Sequence, residues 1–400
     1  MTETVAIVGA SIAGVRTTQA LRAKGYDGRI VLIGAEADLP YDKPPLSKQY
    51  IATRWDENRV GLLTPEAARA LDVELRLGVA ATELDAEQHR VRLEDGSSVC
   101  YSRLILATGA AARPPPWDIE SGVYVLRTLA DARSLREALH QPGPVVVVGG
   151  GFVGAEVAAA ARAVGKSVTV VDPLQSPIGR LVGGAVGDLF ARIHTSHNVT
   201  SRFGVDVVNV TGRRGALEVS LSNGEIIPAA TVVVGIGATP NVDWLAGAGL
   251  RLDDGVMCDE FCRALGQPDV YAVGDVARWM HLERGEYVRL EHWTNAVEQA
   301  SCVAHNITNP AAQQAYCPTE YVWSDQYDWK IQVVGRPGRG DSHEVIGDTL
   351  SDPPRFAAIF RSSDDSLAGA VTVNWSKALV ACRRIVVARG GFDEAWVALS

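Results

Sequence analysis

The sequence carries one supersecondary pattern twice, and each copy demands a parallel sheet with a helix packed against it. Residues 4–36 run as apolar strand, glycine turn, helix, apolar strand and acid: TVAIVGASIAG, VRTTQALRAKG, RIVLIGAE. Residues 144–172 repeat that order as PVVVVGGGFVG, AEVAAAARAVG, SVTVVD. Each copy is a βαβ unit of about 30 residues. Strands apolar at nearly every position are covered on both faces, which places helices on either side of the sheets.

The 400 residues call for two or three domains around these units. The 39 glycines suit tight turns at nucleotide sites, since 47% hydrophobic residues argue against disorder. A net charge of −9 without a basic run excludes a nucleic-acid binder, which needs clustered Lys and Arg. Met1-Thr2-Glu3-Thr4 leads straight into the first strand with no cationic stretch, and Gly or Glu interrupts every apolar run. These features predict a soluble, cytoplasmic protein.

Six cysteines occur, none in a C-x-x-C; the nearest pair, Cys258 and Cys262, flanks Asp259-Glu260-Phe261. That spacing supports neither a redox dithiol nor a zinc site, so no metal is expected and the thiols read as buried and free. His194 and His197 lack further ligands nearby and read as a solvated helix face.

Between the two units the pattern predicts a helix near 64–70 and strands near 73–77, 90–94 and 104–107. The run Arg113-Pro114-Pro115-Pro116 suits a crossing between domains. Further on, YAVGD (271–275) reads as a strand ending in a glycine turn, and a helix is expected over 294–306. From about 311 aromatics gather (Tyr316, Tyr321, Trp323, Tyr327, Trp329), and alternating strands with one final helix suggest a separate α+β domain.

The stronger glycine turn is Gly149-x-Gly151-x-x-Gly154, which follows Val145–Val148 and opens a helix. Its glycines permit a tight turn, close approach of a pyrophosphate to backbone N–H groups, and close helix–strand packing. Asp172 ends the next strand, where an acid binds a ribose 2′-hydroxyl and repels a 2′-phosphate; NADH is thus favoured over NADPH. The first turn, Gly9-x-Ser11-x-x-Gly14, has serine at the second glycine position, and Glu36 supplies its acid. Read as a nucleophile elbow, Gly9-x-Ser11-x-Ala13 lacks the closing glycine and any triad partner. Two dinucleotide sites on one chain make sense if one cofactor reduces the other.

The motifs VAIVGASIAG, LPYDKPPLSK, ATG, LRTLADA, VVVVGGGFVGAEVAA, GIGATPN, DVYAVGD, EHWTNAVEQA and YVWSDQYDWKIQVVG follow one another along nearly the whole chain. In this order they resemble the FAD-dependent NADH:ferredoxin reductases of oxygenase systems, the putidaredoxin, rubredoxin and biphenyl dioxygenase reductase group. The resemblance implies a glutathione-reductase-like α/β fold: an FAD domain over 1–113 and 241–310, an NAD domain over 114–240, and a C-terminal α+β domain over 311–400. It implies that Gly9, Ser11, Ala13, Gly14 and Glu36 hold the ADP half of FAD, with Lys43 nearby and Lys48 toward the flavin N5 side. Ala81, Thr108, Gly109 and Arg127 would line that cofactor, Asp275 its ribityl or pyrophosphate, and Trp293 the isoalloxazine. Gly149, Gly151, Gly154, Glu156 and Asp172 would serve NAD, with Gly235 and Gly237 closing the site.

By themselves Lys48 and Glu156 read as a surface lysine and a helix-face acid; the resemblance implies a catalytic pair beside the nicotinamide. NADH would then reduce the flavin, which would pass electrons singly to a 2Fe–2S ferredoxin serving a monooxygenase or ring-hydroxylating dioxygenase. Trp323 is either a core aromatic or a contact for that ferredoxin, with Arg336 and Arg339 as a local basic patch. An NADH oxidase or quinone reductase, and a flavin-bound redox-signalling protein, stay open as alternatives. So does a monomer or homodimer.

Overall fold

The structure is a computed structural model that describes residues 3–119, 121–337 and 342–400. Arg339 lies outside the described residues. The chain divides into two compact units, the first made of residues 1–43, 57–111 and 238–318 and the second of 44–56, 112–237 and 319–400.

In the first unit, Thr4–Val8 is buried along its whole length and pairs in parallel with Arg29–Gly34 and Arg103–Leu106. Val270–Ala272 and Val73–Leu77 complete the sheet at its two edges. The order 270–272, 103–106, 4–8, 29–34, 73–77 puts the earliest strand in the middle. The end of that central strand, where the chain turns into the helix Ile12–Ala23, is where a doubly wound sheet binds ligands. Ile12–Ala23 packs on Trp293–Thr308, whose Ala296, Ala300, Val303 and Ala304 face the core. Small residues on that face let the two helices approach closely.

The second unit repeats the parallel arrangement with strands 199–203, 168–172, 145–148, 231–234 and 123–124 in that order. It also contains the antiparallel sheet of the C-terminal segment, ordered 321–326, 329–335, 367–373, 355–361, 342–348. Its residues alternate between two cores, as a period of two requires. Val334, Ala357, Ile359 and Ala370 pack under the helices Ser376–Val387 and Phe392–Leu399. Ile331, Val333, Phe356, Ala358 and Val371 face the helix Gly179–Ser196, which is kinked at Gly183.

The segment 271–275 is the expected strand ending in a glycine turn, Val270–Ala272 being followed by the 3-10 turn Gly274–Val276. Other elements differ from expectation. The chain ends in two helices rather than one, because Gly390-Gly391 breaks the apolar periodicity between them. The gathered aromatics serve different cores: Tyr316 in the first unit, Trp329 in the second. Among the cysteines, Cys258, Cys262 and Cys382 are buried, Cys302 and Cys317 partly so, and Cys100 is exposed. Among the described residues no helix is long and apolar enough to cross a membrane.

The reading of His194 as solvated is wrong. It is fully buried at the end of Gly179–Ser196, with Nδ1 at 2.9 Å from the Tyr327 hydroxyl. Tyr327 also stacks on His197, whose Nε2 lies 3.2 Å from Asp328. A partner 133 residues away gave no local signal.

Burial, with the neighbouring His197, pushes His194 from 6.5 down to about 4. The native state therefore resists the proton that the unfolded chain accepts below pH 6.5, so stability is full above that value and falls toward pH 4. The loss amounts to about 3 kcal/mol across the window. Urea unfolding midpoints measured from neutral to acid pH should fall less steeply in His194→Phe than in the parent. Equal slopes would remove His194 from the account.

Candidate functional site

Each glycine turn is fixed by backbone contact that no side chain would survive. At Gly9, with φ +117°, a Cβ would stand 2.0 Å from the Ala107 carbonyl oxygen. At Gly14 it would stand 1.9 Å from the Gly9 oxygen. The second turn repeats this: a Cβ on Gly149 would meet the Gly235 oxygen at 2.3 Å, and one on Gly154 the Gly149 oxygen at 1.9 Å.

The middle position differs. A Cβ on Gly151 would meet nothing within 4 Å, and its counterpart Ser11 already carries a side chain. Ser11 is the N-cap of Ile12–Ala23 but makes no side-chain cap bond, and its buried Oγ has no partner among the described residues. A hydroxyl idle at a helix N-terminus fits a phosphate oxygen, which the helix dipole also favours. The residues thus fit a dinucleotide at both turns.

Around the first turn, Glu36 accepts from the Tyr41 hydroxyl at 2.5 Å and lies 3.6 Å from Lys43 Nζ. Ala13 is buried. Thr108 donates to the Asn241 carbonyl at 3.0 Å, and Asn241 donates back to Thr108 at 2.9 Å, which holds Gly109 at φ +64°. Asp275 stands in the 3-10 turn after Gly274, whose N–H donates to Gln299 at 2.8 Å. Trp293 begins its helix and donates from Nε1 to Asp42 at 2.8 Å. Ala81 opens the antiparallel strand Ala81–Asp85. Arg127 belongs to the second unit, where its N–H donates to Asp131 at 3.0 Å. Sequence reasoning missed Asp42, Asn241 and Gln299, although they stand inside the motifs LPYDKPPLSK, GIGATPN and EHWTNAVEQA.

In the second turn Asp172 is drawn into the loop itself. Its Oδ2 accepts from the Gly150 N–H at 2.6 Å and its Oδ1 from the Leu174 N–H at 2.8 Å. The acid is therefore preset in orientation. Gly235 donates to the Val148 carbonyl at 2.8 Å, and the Gly237 carbonyl accepts from the Arg113 N–H at 3.0 Å.

A buried polar cluster surrounds Glu156, on the helix Phe152–Ala163. Lys48 Nζ lies 2.9 Å from Glu156 Oε1, with side-chain exposures of 10% and 5%. Ser324 donates to the same oxygen at 2.6 Å, and Ser47 to Oε2 at 2.5 Å. Gln326 stands behind Ser324 at 3.2 Å. Ser47 and Lys48 are adjacent on a single π-helical turn, Leu46–Tyr50, introduced by Pro44-Pro45. Such turns concentrate at functional sites because they re-aim consecutive side chains. Burial pushes the Glu156 carboxyl above its ordinary value; Lys48 and the two hydroxyls oppose that rise. The structure thus brings Lys48 and Glu156 together and adds two serines that sequence reasoning missed.

Trp323 is partly buried on the strand Tyr321–Gln326 and faces away from Ser324, as alternation requires. Its ring stacks on Tyr321 at 6.2 Å, and the Arg383 guanidinium lies over Tyr321 at 5.5 Å. Arg336 follows the next strand.

Residues 3–300 match the pyridine nucleotide-disulphide oxidoreductase family, and residues 321–398 match the reductase C-terminal family. The chain is 38% identical to the ferredoxin–NAD(+) reductase component of the anthranilate 1,2-dioxygenase system of Burkholderia cepacia, over 96% of this chain and 93% of that one. The crystal structure of a ferredoxin reductase from Rhodopseudomonas palustris is similar at a TM-score of 0.94 and 32% identity, over 100% of this chain and 97% of that one. The covalent complex of putidaredoxin reductase with putidaredoxin is similar at a TM-score of 0.89 and 30% identity, over 99% of each chain.

The two kinds of glycine separate experimentally. Gly154→Ala should destabilise the fold, because its methyl group collides with backbone. Gly151→Ala should keep the parent Tm yet weaken dinucleotide binding about tenfold or more, since its methyl group fills space that only a ligand needs. Equal thermal losses in both variants would contradict this division.

Proposed function

The chain belongs to the pyridine nucleotide-disulphide oxidoreductase family, and from that premise we propose that it is an FAD-dependent NADH:ferredoxin oxidoreductase. In this reading it serves a monooxygenase or a ring-hydroxylating dioxygenase in the cytoplasm. One observation carries the reading. A single chain holds two dinucleotide turns, each with its own acid, together with a buried ammonium–carboxylate pair whose carboxylate stands on the helix that opens from the second turn. Bound FAD accepts a hydride from NADH and can release the two electrons one at a time, which suits a one-electron iron–sulfur acceptor.

The residues then divide the labour. Gly9, Ser11, Ala13, Gly14 and Glu36 bind the ADP half of FAD, with Thr108, Gly109, Asp275 and Trp293 around the rest. Gly149, Gly151 and Gly154 admit the NADH pyrophosphate. Asp172, already aimed by two backbone N–H groups, accepts the ribose hydroxyl and disfavours NADPH. Lys48 acts as a fixed positive charge beside the nicotinamide, and Glu156 keeps it in place. A charge held before the reaction needs no reorganisation during it. Disulfide reduction would require paired sulfurs, and no C-x-x-C is present.

Delivery to ferredoxin is assigned to the C-terminal segment. Trp323, backed by Tyr321 and Arg383, offers an aromatic contact of the kind enriched at interface hot spots. Arg336 adds local positive charge in a chain of net charge −9.

In Trp323→Ala, NADH-to-ferricyanide activity should hold. NADH-to-cytochrome c activity through a 2Fe–2S ferredoxin should fall about tenfold or more, the loss of one hot-spot contact. Equal losses would make Trp323 a support of the fold, and cytochrome c reduction without ferredoxin would favour a diffusible acceptor.

A further inference from the structure

The C-terminal segment, assigned above to electron delivery, also reaches the opposite end of the reaction. We propose that Ser324 is a positioning residue for the hydride half-reaction, holding Glu156 as the carboxylate that fixes Lys48. The inference rests on the reading of Lys48 and Glu156 as the pair beside the nicotinamide, and extends it to a residue 168 positions from Glu156.

Geometry carries the argument. Glu156 is buried, and one of its oxygens, Oε1, receives both Lys48 at 2.9 Å and the Ser324 hydroxyl at 2.6 Å. Oε2 receives Ser47. Ser47 and Lys48 come from one five-residue turn, so they move together if that turn shifts. Ser324 comes from a sheet strand paired along its length with Trp329–Gly335, and is itself fully buried. It is the donor least free to follow the turn, and so it sets where the carboxylate stands. Gln326 donates to Ser324 Oγ at 3.2 Å, which leaves the hydroxyl proton for Glu156.

Among the described residues, no other charge on the elements packed most closely around Glu156 stands in for it. The elements packed most closely on the helix Phe152–Ala163 are the turn 46–50, the strands 145–148 and 168–172, and the strand 321–326. The turn contributes Lys48. Strand 145–148 carries only valines, and Asp172 at the end of 168–172 is bonded to two backbone N–H groups. On 321–326, Asp325 lies on the far face, opposite Lys330. Arg162, on the same helix, is committed to the His197 and Lys166 carbonyls.

A buried carboxylate that loses one donor is harder to ionise. With Ser324→Ala, Glu156 would take up a proton at higher pH, and a neutral Glu156 no longer holds Lys48 by charge. The acid limb of NADH-driven flavin reduction should therefore move upward.

The test uses the FAD-loaded protein and two readouts. The first needs no NADH: an infrared pH titration follows the carboxylic-acid C=O band that Glu156→Gln removes. In Ser324→Ala the midpoint of that band should rise by about one pH unit or more, and Ser324→Thr, which restores the hydroxyl, should return it. The second readout is stopped-flow flavin reduction against pH. At the pH where the parent runs at half its maximum, Ser324→Ala should be several-fold slower, and the rates should converge in alkali.

An unmoved midpoint, or a uniform loss of rate at every pH, would overturn the proposal. If the midpoint moves as expected but Glu156→Gln reduces flavin at the parental rate, the assignment of the hydride pair fails instead. Should Ser324→Ala not fold, Ser324→Cys, with its weaker donor, must shift the midpoint in the same direction or the proposal falls.

Discussion

Glu156 is an acid in a place where an acid is expensive. Removing a carboxylate from water costs several kcal/mol, and a close partner offsets this only when geometry is good and the remaining lone pairs are satisfied. Lys48, Ser47 and Ser324 meet both conditions, two of them from a π-helical turn and one from a distant strand. The second unit depends on that convergence. The turn Leu46–Tyr50, the helix that opens from the Gly149–Gly154 loop, and the first strand of the C-terminal sheet are all committed to a single carboxylate. Breaking a buried pair by deleting one partner typically costs about 3–5 kcal/mol. A chain that needed only stability would fill the position with an apolar side chain; retaining the charge argues for a task that charge performs.

The glycine turns show the same separation between what the fold needs and what a ligand needs. Gly9, Gly14, Gly149 and Gly154 are compelled by backbone oxygens that would stand 1.9–2.3 Å from any added Cβ. Ser11 and Gly151 are not compelled, and they stand at the middle of each turn, where the proposed function places a pyrophosphate. The serine at position 11 is therefore compatible with the first turn for a physical reason. Its hydroxyl has no partner among the described residues.

The features legible in sequence were those encoded locally. The two parallel sheets followed from all-valine and valine–isoleucine runs, the helix starts from glycine turns, and the paired units from repetition. Lys48 and Glu156 came forward only through resemblance, because 108 residues separate them and neither carries a local mark. Ser47 and Ser324 stood inside quoted motifs, PPLSK and YVWSDQY, but nothing nearby distinguishes a serine that binds a buried carboxylate from one facing water. His194 failed for the same reason: its exposure was set by Tyr327, a tertiary partner. Asp172 was placed correctly at its strand end, yet its backbone bonds to Gly150 and Leu174 depend on how the loop closes. The second terminal helix was hidden because Gly390-Gly391 interrupts the apolar periodicity between Ser376–Val387 and Phe392–Leu399.

If the buried pair governs the arrival of electrons, its loss should be visible before any ferredoxin is present. The direct measurement is anaerobic stopped-flow bleaching of the bound flavin by NADH in Lys48→Ala, with FAD content determined on the same sample. The account predicts full yellow colour with bleaching slowed about tenfold or more, the scale of one lost electrostatic contact in a reacting site. Bleaching at the parental rate with FAD retained would contradict it.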